Sequence, residues 1–173
     1  MKDIYIQLAY DTIKTYLEKE ELPDLKTVDR EILLRHNGCF VTLHTKDGAL
    51  RGCIGTIKPL YKNLGGEIEA NALSACKDDP RFSPVTLDEL DDLKISVDIL
   101  SEPEQVYENE ALDIKKFGII VQAEGGRDGL LLPDIKGINS VEEQIAIARQ
   151  KGEIKPDEQI ALFRFMVERH EEK

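Results

Sequence analysis

The sequence predicts an α+β fold, an antiparallel sheet with flanking helices, and three observations carry that reading. Apolar residues recur at helical spacing near the N-terminus, the period switches to that of strands around an Asp-Gly turn, and helices stay interspersed with hairpins where a parallel array would alternate regularly. Ile4, Leu8, Ala9, Thr12, Ile13 and Leu17 define an amphipathic helix over residues 3–20, with Pro23 beyond its end. Residues 29–36 support a shorter helix that stops near Asn37-Gly38, a pair suited to a left-handed C-cap. Residues 39–44 and 49–57 are rich in β-branched and aromatic side chains, and Asp47-Gly48 between them is a strong hairpin signal.

The later elements follow from the same rules. Residues 64–77 read as a helix closed before Pro80, because the residue preceding proline disfavours α geometry; Asp79 then lies at its exit. Thr86 and Glu89 form a capping box for a short helix, and residues 93–100 follow as a strand. Residues 118–122 and 129–132 form a second hairpin around Glu124-Gly125-Gly126-Arg127-Asp128-Gly129; this glycine-rich stretch sits between strands, so it is a turn and not a phosphate loop. Residues 140–151 are helical, and residues 160–168 close the chain as a strand with Phe163, Phe165 and Val167 on one face. There is no internal repeat, and 173 residues suit one domain, 1–173, with room for two subdomains.

Composition narrows the function classes. With 41% hydrophobic and 33% charged residues, and no apolar run of the roughly 20 residues that span a bilayer, the chain reads as soluble and away from membranes. The segment Met1 to Ile6 carries charge too early for a signal-peptide core, which places the protein in the cytoplasm. Three cysteines at uneven spacing fit reduced thiols better than a disulfide framework. A net charge of -11 counts against nucleic-acid binding, since grip on phosphate backbones comes from Lys and Arg. There is no C-x-x-C zinc pair, iron-sulfur cysteine triplet, Walker loop or dinucleotide fingerprint, so no metal site and no cofactor is predicted.

The candidate site comes from strand register. If Asp47-Gly48 forms a two-residue turn, Thr42 falls opposite Cys53, His44 opposite Arg51 and Phe40 opposite Gly55, all six on one face. Val41, Leu43 and Ile54 take the core face. A thiol, an imidazole and a guanidinium then gather beside gaps left by glycine, and a neighbouring cation favours the thiolate, the nucleophilic and metal-binding form. Backbone amides around Gly52 and Gly55 offer an alternative, anion binding without a covalent step. A packing role fits the same residue types: cysteine is commonly buried, Arg51 has many carboxylates to pair with, and a surface histidine needs no function. A one-residue slip would separate Cys53 from His44.

The stretch Leu50-Arg51-Gly52-Cys53-Ile54-Gly55-Thr56 resembles the signature of the AMMECR-one family, whose prokaryotic members are called AmmeMemoRadiSam system protein A and which has no assigned reaction. The likeness continues through Gly38 to Leu43, Asn71-Ala72, Asp79-Pro80-Arg81-Phe82, Gly129-Leu130-Leu131-Leu132-Pro133, Phe163-Arg164-Phe165 and Arg169-His170. It implies a two-lobed α+β protein with the cysteine motif near a cleft between lobes, and a shared pathway or complex with a Memo-like protein and a radical SAM protein. The chain departs from the family pattern at Cys76, where a small apolar residue is common, at Lys77, where an aromatic is usual, and in the lack of Trp and a shortened stretch over residues 134–140.

Two functions stay open. In the first, a cytosolic enzyme or enzyme subunit acts on a small molecule or modified residue, with catalytic candidates Cys53, Arg51 orienting an anionic group and His44 as acid or base. Gly52, Gly55, Thr56, Thr42, Asp79 and Arg81 are its ligand-binding candidates. In the second, a non-catalytic binding or adaptor protein uses the hairpin as a docking surface; under either function Asp79 and Arg81 pair to lock the helix exit or face a ligand.

Overall fold

The computed structural model describes residues 3–172; Met1 and Lys2, which begin the N-terminal segment read above, and Lys173 lie outside the described residues. The chain forms two compact units, one running to Leu100 and regaining the chain from Glu168, the other formed by Ser101–Val167. In order, the first supplies α1 (Ile4–Lys19), α2 (Arg30–Leu34), β1 (Cys39–Thr45), β2 (Leu50–Gly55), α3 (Leu64–Lys77), α4 (Leu87–Leu90) and β3 (Leu93–Leu100). The second supplies β4 (Glu104–Val106), β5 (Gly118–Ala123), β6 (Asp128–Leu131), α5 (Val141–Lys151) and β7 (Ile160–Phe165), after which β8 (Val167–Glu171) closes the chain.

The first unit is a four-stranded sheet in the order β2-β1-β3-β8 with α1 and α3 on one face. Its antiparallel ladder puts Val41 opposite Val97 and Leu43 opposite Ile95, so alternate residues of both strands turn inward and are fully or almost fully buried. They meet Ala9 and Ile13 of α1 and Ile68 and Ala72 of α3 in one apolar core. Helix α1 starts where Asp3 caps it, its carboxylate accepting the N–H groups of Tyr5 and Ile6. The even-numbered residues Phe40, Thr42, Ser96 and Asp98 occupy the other face.

The second unit pairs its strands in the order β4-β7-β5-β6, with α5 against β6. A Cβ on Gly129 would lie 1.8 Å from the Ala148 carbonyl oxygen, so the helix approaches the strand as closely as it does because that residue is glycine. The glycine-rich stretch is a hairpin turn, with Gln122 opposite Asp128 and Val121 opposite Gly129.

Two expected details differ. The first hairpin turns through Lys46, Asp47 and Gly48, one residue more than expected, with Gly48 in the left-handed region at φ 88° and the Thr45 N–H bonded to the Ala49 carbonyl at 2.9 Å. The expected closing strand is two strands in different sheets, β7 and β8, interrupted at Met166. There the Met166 N–H turns to the Ser101 hydroxyl and its carbonyl accepts the Ser101 N–H, both at 2.9 Å, which removes it from either ladder.

Candidate functional site

β2 is an edge strand, so half of its backbone N–H and C=O groups point away from β1 and need other partners. At Cys53 those partners come from the segment that leaves α3. The Cys53 N–H donates to Asp79 Oδ2 at 2.9 Å, and Arg81 Nη2 donates to the Cys53 carbonyl at 3.3 Å. The two side chains are also joined to each other: Asp79 Oδ1 accepts the Arg81 N–H at 3.1 Å and Nε at 3.0 Å, and Oδ2 accepts Nη2 at 2.8 Å. Asp79 and Arg81 thereby take the place of a neighbouring strand at one residue of β2.

The electrostatics follow. The Asp79 side chain is 2% exposed and Arg81 is 54% exposed, so a buried carboxylate anchors a guanidinium that reaches solvent. The bonds from Arg81 hold the Asp79 carboxyl well below the usual carboxylate range, with burial opposing and the Cys53 N–H assisting. Asp79 in turn raises the Arg81 pKa, and the Cys53 sulfur is close enough to add to that effect.

The Cys53 thiol lies on the face opposite the core. Thr42 is its cross-strand partner, as the register predicts, and the Thr42 hydroxyl donates to Sγ at 3.3 Å. Cys53 is partly exposed, whereas Cys39 and Cys76 are buried and their thiols are pushed up by that burial to about 12 and about 11. Ser96 lies on the other side of Thr42, so a thiol and two hydroxyls run side by side across β2, β1 and β3.

His44 keeps its expected place on the Thr42 face of β1, but it is not paired with Arg51 as expected. Phe40 pairs with Gly55 and Thr42 with Cys53, but His44 pairs with Leu50, because the longer turn shifts the ladder by one residue and a bulge between Leu43 and His44 restores it. Arg51 is the residue the bulge leaves over. Its guanidinium, 13% exposed, pairs with Glu89 at 3.1 Å and donates to the carbonyls of Ser83 and Pro84 at 2.9 and 3.4 Å. It ties β2 to the segment before α4. His44 stands two residues beyond Thr42 along β1, between Leu50 and Lys94.

The other expected residues are engaged by the protein itself. A Cβ on Gly52 would lie 2.2 Å from the Ala75 carbonyl oxygen, and one on Gly55 would lie 2.2 Å from the Phe40 ring. The close approach that each glycine permits is therefore made by α3 and by an aromatic side chain. The Thr56 hydroxyl bonds to Glu67, a carboxylate buried to 0% exposure that also accepts the N–H groups of Leu60 and Tyr61 at 2.9 and 3.0 Å. Asn71 joins this network, donating to Thr56 Oγ1 and to the Cys39 carbonyl, both at 3.1 Å.

Sequence reasoning missed Glu67, hidden in the apolar stripe of α3, although an acid among Leu64, Ile68 and Asn71 on one helix face signals a buried acceptor. It also missed the pair of Asp98 and Arg169 at 2.8 Å, which lies on the same sheet face as Thr42. Among the described residues no group of three or more His, Cys, Asp or Glu side chains is placed to hold a metal ion, and no helix is long and apolar enough to cross a membrane.

A mixed α/β protein with two antiparallel sheets, flanking helices and a cysteine on an edge strand is the class this geometry defines. The AMMECR1 family model matches residues 6–170, and the chain belongs to that family. A Thermotoga maritima protein is 48% identical over 169 residues, with 96% of each chain covered. Protein CA_C1420 of Clostridium acetobutylicum is 47% identical over 99% of this chain, which spans 36% of that longer protein. The crystal structure of uncharacterized protein PH0010 from Pyrococcus horikoshii superposes with a TM-score of 0.88 at 31% identity, covering 98% of this chain and 90% of that one.

Proposed function

We propose that the protein is a cytoplasmic enzyme or enzyme subunit in which Cys53 is the nucleophile. One observation carries this reading: both backbone polar groups of Cys53 are fixed, by Asp79 and Arg81, while the residue stays partly exposed and its sulfur accepts a hydrogen bond from Thr42. A nucleophile held in one orientation in advance loses less freedom on reaching the transition state. In the step we propose, Sγ releases its proton and forms a bond to an electrophilic carbon of the substrate. The leaving group departs with the bonding pair and takes up a proton from solvent.

His44 stands two residues beyond Thr42 along β1, about 7 Å, so a role as acid or base would act through water. Arg51 is a positioning residue for β2 in this reading. Family resemblance supports placing the chain in a pathway with a Memo-like protein and a radical SAM protein, which would supply the radical chemistry. The two units are read as one functional domain.

A second reading has its own support. Gly52 and Gly55 are accounted for by packing, as a non-catalytic binding or adaptor protein built on this hairpin would require. The two readings separate in a strain deleted for the gene and complemented with wild type, Cys53→Ser or Cys53→Ala, followed by metabolite and modification profiling. The enzyme reading expects both variants to fold and to reproduce the deletion profile. Full restoration by folded Cys53→Ala removes the thiol from the function and leaves the adaptor.

A further inference from the structure

We infer that the site at Cys53 takes an anionic small molecule, whose carboxylate or phosphate group docks on the outward edge of Arg81. This rests on the reading of Cys53 as the reactive group. A guanidinium has five N–H groups in a planar fork. Nε donates to Asp79 Oδ1, and Nη2 donates both to Asp79 Oδ2 and to the Cys53 carbonyl. Among the described residues, the hydrogen bonds of Arg81 leave the two N–H groups of Nη1 without an acceptor, on a side chain that is 54% exposed. Arg51 provides the contrast: Nε, Nη1 and Nη2 are all bonded, and its exposure is 13%.

Asp79 does not cancel this edge. Its carboxylate sits on the opposite side of the guanidinium, where the Cys53 N–H, the Arg81 N–H and two arginine donors occupy its oxygens. Because the Asp79 side chain is almost fully buried, its bonds fix the plane of the fork before any ligand arrives, which lowers the ordering cost of binding. Arg81 also bonds through Nη2 to the carbonyl of Cys53 itself, which keeps the guanidinium at the same residue as the thiol. The Thr42 and Ser96 hydroxyls continue a polar strip across the same sheet face. Against a net charge of -11, attraction of an anion to this spot is local, which makes it readable at Cys53 and dependent on one residue.

The test uses two alkylating reagents of similar size, anionic iodoacetate and neutral iodoacetamide, on the full chain. The ratio of their rates at Cys53 is measured by mass spectrometry in the native protein and in urea. One cation at about 4 Å in water favours a monoanion by about fivefold, so the native ratio should exceed the unfolded one by about that factor. It should fall to or below the unfolded value in Arg81→Gln, which leaves the Asp79 charge unbalanced, and be partly retained in Arg81→Lys, with folding of both variants checked by circular dichroism. Equal ratios in native wild type and Arg81→Gln overturn the proposal.

A parallel titration does not depend on the thiol: acetate and inorganic phosphate are added separately while the Arg81 side-chain N–H resonance is followed by NMR. A saturable shift with acetate alone assigns a carboxylate substrate, and one with phosphate alone a phosphate ester. If neither anion shifts the resonance the proposal fails. Failure of iodoacetamide to modify native Cys53 counts against the nucleophile, not against the anion site, which the titration then decides.

Discussion

The backbone N–H of Cys53 donates to Asp79 Oδ2 at 2.9 Å, so the cysteine segment and the loop after α3 are one hydrogen-bonded unit although 26 residues separate them. Asp79→Asn keeps the shape but removes the charge that binds Arg81. Hydrogen bonds to a charged group contribute about 1.5–3 kcal/mol, so the variant should lose about 2–3 kcal/mol in urea unfolding at neutral pH. The carboxyl is held below its unfolded value, so the stability it supplies is present above the unfolded pKa of about 3.9 and is lost as pH falls below that. The gap between wild type and variant should therefore be full at pH 6 and shrink toward pH 2. A gap that is constant over that range would show that the Asp79 charge contributes nothing.

The strand facing Cys53 was legible in the sequence; Arg81 was named there as a ligand candidate, but its contact with Cys53 was not legible, for a physical reason. Alternation and the core face of β1 fix Thr42 opposite Cys53, because a slip would bury Thr42 and expose Val41. The position of Arg51 depends on the length of a turn, and Lys46-Asp47-Gly48 satisfies the same Asp-Gly signal as a two-residue turn. Arg81 belongs to a loop whose path no periodicity reports, although an edge strand with unpaired amides requires some neighbour to supply donors and acceptors. The break at Met166 was hidden similarly: residues 160–168 alternate without interruption, and only the bonds to Ser101 divide them.

Glu69 makes the opposite pH prediction. It is 7% exposed, Oε1 has no hydrogen-bond partner among the described residues, and burial pushes its carboxyl up from 4.5 to about 7. The fold therefore favours the protonated acid. Its stability contribution is complete below the unfolded pKa of about 4.5, declines as pH rises to about 7, and is constant above that. Glu69→Gln removes the titration. It should be about 2–3 kcal/mol more stable than wild type at pH 8 and equal to it at pH 4, measured by denaturant unfolding at both values. Equal stability at pH 8 would mean that the carboxylate is solvated.

Gly52 and Gly48 differ in why they are glycine, and their alanine variants should differ accordingly. In Gly52→Ala the added Cβ meets the backbone of α3, where nothing flexible can yield, and the variant should lose about 3 kcal/mol by forcing strand and helix apart. Gly48→Ala meets no atom within 4 Å but requires alanine at φ 88°, a cost of about 1–2 kcal/mol. Gly52→Ala should also alter reactivity at the neighbouring Cys53, and Gly48→Ala should not. Urea midpoints and iodoacetamide rates on both proteins check the order; a milder effect at Gly52 would mean that β2 is free to move from α3.

The three thiols should separate cleanly under native alkylation. Cys39 and Cys76 are buried and their thiols are pushed up to about 12 and about 11, which suppresses the thiolate at neutral pH and blocks access as well. Cys53 is instead partly exposed, on the face away from the core. Brief treatment with iodoacetamide at pH 7.5 should add one label, at Cys53, and treatment in urea should add three, one for each cysteine in the chain. Cys53→Ser should take no label in the native state while its urea count falls by one. Native labelling at Cys39 or Cys76 would require that β1 or α3 opens under native conditions, and would place the mobile part of this unit in its core instead of at its edge strand.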